Sequence, residues 1–407
     1  SRTTETKPVE PPPSSKSRAT SAARVFPSSG FQLIDKSVRL EEEAFQWYSP
    51  KKFYAPRIGE VFQETYQVIT KLGYGAASTT WLCRDLRKHR YVTVKIYALG
   101  QKQTKRELAA LMHINAVITA SPRIRHIGTA NIRILVDQFK IAGPRPPRGN
   151  LCLVYKPLAM SLAEMRKTGF GGRLPIDVVK SIVFYLLRAL DFLHRKANLV
   201  HADIQEDNIL LSLEDEAELR EVEEGEMSDP SPRKLYKDRT IYSSRLLELS
   251  AGVPVLCDFG EARFGRESYG EHVLPDLYRA PEILLRIEWD EKIDIRTLGL
   301  VVSIQRSDLS HIWTMVEGTN LFTNNRGGRW KSALPHMARM ISLLGPPPQD
   351  LLDITPVTKA YFDRDEEEAT ALEGVEKAEF LRFVRRLLQW EPSKRPSARE
   401  LLKYSWL

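Results

Sequence analysis

HADIQEDNIL, at residues 201–210, is the stretch of sequence that decides the fold, and CDFG follows it at residues 257–260. Asp203 in the first motif can accept the proton of a substrate hydroxyl group. Asn208 and Asp258 offer the oxygen ligands that magnesium, a hard cation, prefers. These side chains are therefore candidates for a magnesium site and a proton acceptor.

Residues 66–155 predict a small antiparallel sheet ahead of this site. The segment consists mainly of short runs of β-branched and aromatic residues, with one helical pattern near residues 101–114. The predicted strands cover residues 66–72, 78–85, 91–97, 132–139 and 151–155.

A glycine-containing turn, LGYGAAS at residues 72–78, lies between the first two predicted strands. Small residues here let backbone amides approach phosphate oxygens, although Ser78 stands where the third glycine of a G-x-G-x-x-G loop is usual. Taken alone, the turn fits a plain hairpin better than a nucleotide site. Because the turn precedes the other motifs in the sequence, four of its residues are candidates for nucleotide binding: Leu72, Gly73, Gly75 and Ser78.

Lys95 ends a strand pattern that is otherwise apolar, and Glu107 is the only acid between Lys95 and Asp137. Because lysine is rarely buried without a partner, we expect a Lys95–Glu107 ion pair. Such a pair would aim the ammonium group at the α- and β-phosphates of a nucleotide. In isolation both residues would be ordinary surface charges, so their order and spacing carry this prediction.

The second half of the chain is predicted to be mainly helical. Apolar residues between positions 176 and 193 alternate steps of three and four, which places them on one stripe of a helix. Ser397 and Glu400 form a capping box after Pro396. The expected fold class is therefore α+β, with a small antiparallel sheet and one main helix followed by a larger, mainly helical part.

With YRAPE at residues 278–282, these motifs make residues 60–407 resemble the eukaryotic protein kinase superfamily, which has a two-lobed fold. The finer resemblance is to the SR-protein kinases, the SRPK family, as a divergent short member. It rests on RIGEVF at 57–62, GAASTTW at 75–81, LCLVY at 151–155, and an insert between Asn208 and Asp258 where that family carries its spacer.

The resemblance implies a serine/threonine kinase that uses ATP and Mg²⁺ to phosphorylate hydroxyl groups of Arg/Ser-rich proteins. Tyr155 would be the gatekeeper behind the adenine, and residues 156–158, with Lys156 and Leu158, would form the hinge whose backbone binds the base. Glu282 would pair with Arg395. The catalytic residues implied are Asp203, Lys95, Glu107 and Gln205, and the metal ligands are Asn208 and Asp258.

Ala202 departs from the family pattern, because most kinases have there an arginine that receives an activation-loop phosphate. Ser268 and Tyr269 are the only hydroxyl residues between Asp258 and Tyr278. We therefore expect activity that needs no phosphorylation switch.

Gln205 and Pro275 stand where serine/threonine kinases usually have a lysine and a threonine. Gln205 can donate a hydrogen bond to a phosphate but adds no charge, which predicts slow turnover. Arg296 replaces the usual tryptophan near the start of the central helix of the second lobe. Residues 303–312 interrupt the pattern of that helix, so either they loop out or the translated gene retains non-coding sequence.

The expected domains are a flexible tail and lead-in at 1–56, a first lobe at 57–158 and a second lobe at 159–407, with an acidic insert at about 212–252. Residues 1–30 are rich in Ser, Pro, Arg and Lys, which predicts a flexible tail and also resembles a transit peptide. Residues 214–226 carry eight acids in 13 positions, which predicts a solvated, mobile segment.

Composition argues against several other classes of protein. No run of 18 apolar residues and no secretory pattern is present, so no membrane partner is expected. Cys83, Cys152 and Cys257 each lie among apolar neighbours, which is typical of reduced core thiols. The net charge of +8 is scattered without interleaved aromatics, so no direct nucleic-acid partner is expected. We expect a monomer in the cytoplasm, the nucleus or both.

Two alternatives remain open at the level of sequence. Gln205, Pro275, Arg296 and the 303–312 insertion favour a weakly active or inactive pseudokinase that acts as a scaffold. The acidic residues at 363–368 are either a docking site for an Arg-rich substrate or a solvated loop.

Overall fold

The computed structural model describes residues 20–120, 126–142, 149–169, 174–245, 247, 252–265, 269–270, 273, 279–305, 340–341, 345–353 and 375–407. Within these ranges the chain forms a first lobe built on a sheet and a second, mainly helical lobe, which confirms the predicted α+β class. No helix in the described ranges is both long and apolar enough to cross a membrane.

A six-stranded antiparallel sheet forms the first lobe, in the order β1-β2-β3-β4-β6-β5. Its β-branched residues, such as Val68, Val94 and Val154, are buried on one face, as suits a pleated surface. The strands are β1 (Val61–Phe62), β2 (Tyr66–Tyr74), β3 (Ser78–Asp85), β4 (Arg90–Tyr97), β5 (Leu135–Ala142) and β6 (Gly149–Tyr155).

Helix α1 (Lys102–Ala120) lies between β4 and β5, near the predicted position but extending further. The prediction that β5 begins at residue 132 is wrong. Ile127–Asn131 is a 3-10 helix, and Ile132 forms a bridge to Leu256 in the second lobe before the strand begins.

The second lobe is organised around α3 (Ile176–Phe192), whose predicted apolar stripe is buried. The predicted capping box of Ser397 and Glu400 is also present. Two small sheets support the motif loops: β7 (Leu158–Ser161) with β9 (Ile209–Ser212) and β12 (Pro254–Leu256), and β8 (Leu199–Val200) with β13 (Arg263–Phe264). Within the described ranges the lobe also contains the helices α2 (Leu162–Gly169), α5 (Pro281–Leu284), α6 (Lys292–Gln305), α7 (Gln349–Asp353), α8 (Val375–Leu387) and α9 (Ala398–Leu401).

Several sequence predictions lie outside the described residues. Helix α6 includes the first three positions of the predicted 303–312 insertion, and the remainder is not described. Ser268, Pro275 and the acidic cluster at 363–368 also lie outside the described residues.

The acidic insert folds onto the first lobe, so the prediction of a solvated, mobile segment at 214–226 is wrong. Ala217–Ser228 form helix α4, which packs on β2. Glu223 is buried and accepts a hydrogen bond from Tyr91, while Glu226 accepts one from a hydroxyl group on β2. The insert continues as a hairpin of β10 (Arg233–Leu235) and β11 (Thr240–Tyr242).

The lead-in is also packed against the first lobe, at least from residue 20. The backbone N–H of Ser21 donates to the Leu86 carbonyl at 2.8 Å, and that of Arg24 donates to the Gln67 side chain at 2.9 Å. Leu33 forms a parallel bridge to Arg233 of the insert. The predicted flexible tail therefore does not extend to residue 30, and its first 19 residues lie outside the described ranges.

Candidate active site

A cavity of about 750 Å³ lies between the two lobes, and it brings together residues that are far apart in the sequence. The turn between β2 and β3 contributes one wall, and the motif loops around β9 and β12 contribute the other. Among the predicted site residues that line the cavity are Leu72, Gly73, Gly75, Ser78, Lys95, Glu107, Tyr155, Leu158, Asp203, Gln205, Asn208 and Asp258.

The glycine turn is closed by a hydrogen bond from the Gly75 N–H to the Ser78 carbonyl at 2.8 Å. A Cβ atom built on Gly73 would meet nothing within 4 Å, so the backbone on this side is open to an approaching ligand. Such a turn can present backbone N–H groups to phosphate oxygens.

Lys95 and Glu107 form the expected ion pair, with 3.0 Å between Lys95 Nζ and Glu107 Oε2. Burial raises the pKa of Glu107, and the charge of Lys95 opposes that rise. Two hydroxyl groups also donate to the Glu107 carboxylate: that of Tyr97, and that of Tyr155 at 2.9 Å. Sequence reasoning missed both contacts, although Tyr97 follows Lys95 by two residues and so lies on the same face of β4.

Tyr155 is buried at the end of β6, and the guanidinium group of Arg133 lies 4.2 Å from the centre of its ring. Leu158 lines the cavity, as predicted for the hinge. Lys156 has an exposed side chain outside the lining, so any role in binding the base belongs to its backbone and stays a prediction.

Asp203 lies on a loop that is held from behind by Asp294. The carboxylate of Asp294 accepts the backbone N–H groups of His201 at 2.8 Å and Ala202 at 2.9 Å. Ala202 has a φ of 60°, a left-handed conformation that this framework maintains despite its cost. The loop is therefore fixed in place before any ligand binds.

The Asp203 carboxylate accepts hydrogen bonds from Asn208 Nδ2 at 2.9 Å and from Gln205 Nε2 at 3.1 Å. Burial, reinforced by the negative charge of Asp258, raises the pKa of Asp203 to about 7. A carboxylate with such a pKa can take up a proton near neutral pH. Gln205 thus contacts Asp203 itself and brings no positive charge to the site.

Asp258 also has a left-handed backbone, with a φ of 64°. Its Oδ2 lies 3.0 Å from Lys95 Nζ, and its Oδ1 accepts the Gly260 N–H at 3.1 Å. Burial alone would raise the pKa of Asp258, but Lys95 and the Gly260 amide lower it below its ordinary value. Phe259 is buried, and the centre of its ring lies 5.0 Å from that of the His201 ring.

The residues at this end of the cavity fit magnesium. Asn208 uses its amide nitrogen toward Asp203, which leaves its oxygen available as a ligand beside the Asp258 carboxylate. Among the described residues no group of three or more His, Cys, Asp or Glu side chains could hold a metal. Magnesium is commonly bound by one or two protein oxygens together with phosphate, and Asn208 and Asp258 could supply two such oxygens.

Below the cavity, Glu282 and Arg395 form the pair that the resemblance implied. Arg395 Nη2 lies 2.7 Å from Glu282 Oε2, and both side chains are buried. Arg296 is buried nearby and donates to the Leu388 carbonyl, while its Nε has no hydrogen-bond partner among the described residues. Burial, reinforced by the charge of Arg395, lowers the pKa of Arg296 to about 9.

Two residues that sequence reasoning missed also line the cavity. Phe45 comes from the lead-in and Leu247 from the insert. Phe45 lies beyond the compositionally biased tail and Leu247 beyond the acidic run of the insert, and no local signal marked either as a site residue.

Comparison with known proteins covers nearly the whole chain. The protein kinase domain family matches residues 66–407. A serine/threonine protein kinase of Aspergillus fumigatus is 36% identical over 410 residues, which is 96% of each chain. The serine/threonine-protein kinase SRPK of Physarum polycephalum is 24% identical over 413 residues, 90% of this chain and 91% of the other. SRSF protein kinase 3 of Mus musculus is 34% identical over 176 residues, 43% of this chain and 30% of the other.

Proposed function

Since the chain belongs to the protein kinase family, and within it to the serine/threonine kinases, we propose that it is an active enzyme that phosphorylates Arg/Ser-rich proteins. It uses ATP and magnesium. One observation carries the proposal of activity: Lys95, Glu107, Asp203, Asn208 and Asp258 are all present and surround a single cavity.

In the proposed reaction, Asp203 accepts the proton of the substrate hydroxyl group. The hydroxyl oxygen forms a bond to the γ-phosphorus while the bond between this phosphorus and the bridging oxygen breaks, and ADP leaves. Lys95, which Glu107 orients, binds the α- and β-phosphates. Asn208 and Asp258 would hold the magnesium ion, which when bound would neutralise phosphate charge.

The substrate class is supported by the resemblance to SR-protein kinases and by the names of two relatives, SRPK and SRSF protein kinase 3. We further propose that the enzyme acts as a monomer, in the cytoplasm, the nucleus or both. The acidic cluster at 363–368 remains a predicted docking site for the positively charged substrate.

A pseudokinase scaffold is the second candidate, and Gln205 is the observation that favours it. The amide of Gln205 bonds to Asp203, where a lysine would add a positive charge near the transferred phosphate. Loss of that charge weakens stabilisation of the transition state. The intact Lys95–Glu107 pair and the two candidate metal ligands favour the enzyme.

An ATP turnover assay on an Arg/Ser peptide separates these two candidates. We expect magnesium-dependent transfer of phosphate to the peptide by the full chain. The Asp258→Ala variant should lose both the transfer and the effect of magnesium on ATP affinity, because Asp258 is the principal charged metal ligand. A wild-type chain that binds ATP without transferring phosphate would favour the scaffold.

The rate of transfer should depend on pH through Asp203. Since the pKa of Asp203 is raised to about 7, kcat/KM for the peptide should increase with pH and level off above that value. A protonated Asp203 cannot accept the substrate proton, so kcat/KM must be lower below this pKa than above it. Gln205→Lys should shift the profile to lower pH, because a nearby ammonium group favours the carboxylate form.

Gln205→Ala is the matched control, since it removes the amide without adding a charge. We expect no shift to lower pH from this variant. A wild-type profile that is flat between about pH 6 and 8 would contradict the assignment of Asp203 as the group that titrates.

A further inference from the structure

The lead-in places two aromatic side chains against the glycine turn of the first lobe. The rings of Phe45 and Trp47 are stacked, with their centres 5.3 Å apart, and the ring of Phe45 lies 6.1 Å from that of Tyr74 in the turn. The indole Nε1–H of Trp47 donates to the backbone carbonyl of Ala76 at 3.2 Å. We refer to Phe45, Trp47 and Tyr74 as the aromatic clip.

The lead-in residues just before Phe45 are bound to β2, the strand that leads into the turn. Lys71 on β2 is buried, and its Nζ lies 2.8 Å from Glu41 and 2.5 Å from Glu42 of the lead-in. Hydrogen bonds between ionised groups fix geometry strongly when the groups are buried. The segment that carries Phe45 and Trp47 therefore has a defined position relative to the turn.

The insert strengthens the same anchor from the other side. The carboxylate of Glu41 accepts hydrogen bonds from the backbone N–H of Ser244 at 2.6 Å and from its hydroxyl group at 2.7 Å. The Arg245 N–H donates to the Lys71 carbonyl at 2.8 Å. The lead-in and the insert thus both contact β2 at Lys71, directly before the glycine turn.

Two side chains of the aromatic clip are much more exposed to solvent than residues of the hydrophobic core. Trp47 is 53% exposed and Tyr74 is 48% exposed. Side chains that are only about half buried contribute less than core residues to the burial of apolar surface, which is the main source of stability. The contact of Trp47 with the tip of the turn is therefore more relevant to the turn's position than to the stability of the fold.

We propose that the aromatic clip is a further part of the nucleotide site. Trp47 is a positioning residue that holds the Ala76 carbonyl and keeps the turn at 72–78 closed over the phosphates, and Phe45 is a wall of the nucleotide cavity. This proposal rests on the proposed function only in requiring that the cavity binds an adenine nucleotide.

Dissociation of a fluorescent ADP, mant-ADP, in the presence of magnesium tests the proposal on the full chain. Trp47→Ala should accelerate dissociation about 3- to 10-fold, the range expected for one hydrogen bond and its packing. Trp47→Phe keeps the stacked ring but lacks the N–H donor, so it should give an intermediate rate. Leu33→Ala is the matched control, because Leu33 belongs to the lead-in and is 65% exposed.

Thermal unfolding distinguishes positioning from a purely structural role. Without nucleotide, Trp47→Ala should melt only a few degrees below the wild type, since the side chain is about half exposed and loses one hydrogen bond and one ring contact. The increase in melting temperature caused by ADP should be smaller in the variant. In kinetic assays the KM for ATP should increase more than kcat decreases.

The outcomes separate this proposal from the proposed function. If the wild type binds mant-ADP and both Trp47 variants release it at the wild-type rate, the proposed role of the aromatic clip in nucleotide binding is overturned while the kinase assignment stands. If the Trp47 variants release mant-ADP faster than the wild type but the wild type never phosphorylates the peptide, the role of the aromatic clip is supported and only the proposed kinase activity is overturned. A wild type that binds no mant-ADP would overturn both.

Discussion

Replacing Asp203 by asparagine is expected to slow phosphoryl transfer about 100- to 10,000-fold, the range for loss of a general base. Asparagine has nearly the same shape and can still accept the hydrogen bond that Asn208 donates, but it cannot take up the substrate proton. The affinity for ATP should remain close to that of the wild type, because Asp203 is assigned to the hydroxyl group rather than to the nucleotide. Single-turnover transfer and equilibrium nucleotide binding measure the two quantities separately.

Asp258→Ala is the contrasting variant in the same assays. It should abolish the magnesium-dependent part of ATP binding, since Asp258 is the proposed carboxylate ligand of the metal. Equal losses of binding and transfer in both variants would count against these separate roles.

Glu282→Gln is expected to lower the free energy of unfolding by about 3–5 kcal/mol, the cost of breaking a buried ion pair. The substitution removes the negative charge from a carboxylate that is bonded to both terminal nitrogens of Arg395. It also leaves Arg395 beside a second buried guanidinium group, that of Arg296. Urea unfolding of the full chain, followed by tryptophan fluorescence, measures the change.

Arg296→Met provides the matched background for this experiment. Because methionine replaces a buried charge by an apolar side chain of similar volume, the variant should be at least as stable as the wild type. The cost of Glu282→Gln should be smaller in this background, since only one buried cation then lacks its carboxylate. The same cost in both backgrounds would show that Arg296 does not sense the charge of Glu282.

The parts of the site that lie within motifs could be predicted from the sequence, because each motif fixes both residue type and spacing. Lys95 and Glu107 are an example: one ends an apolar strand, the other is the next acid, and the structure brings them within 3.0 Å. The buried stripe of α3 was predictable for a similar reason, since helical periodicity is a local property of the chain.

The packed insert and lead-in could not be predicted, because the partners of their charges are distant in sequence. Glu223 lies 132 residues from Tyr91, to which it is hydrogen-bonded, and the composition around it is typical of a solvated helix. Acids of this kind are solvated unless tertiary structure supplies donors. For the same reason nothing local marked Phe45 and Trp47 as neighbours of the glycine turn.

Helix α4 lies in the sequence between two strands of the second lobe, β9 and β12, yet it packs on the first lobe. The chain therefore passes between the lobes through residues 156–157 and again through the insert, in addition to the bridge from Ile132 to Leu256. Two rigid bodies joined at a single point can rotate about any axis, whereas bodies joined at two points can rotate only about the line through both. Each connection beyond residues 156–157 thus restricts the axes about which the cleft can open, and twisting of the lobes against each other is expected to be suppressed.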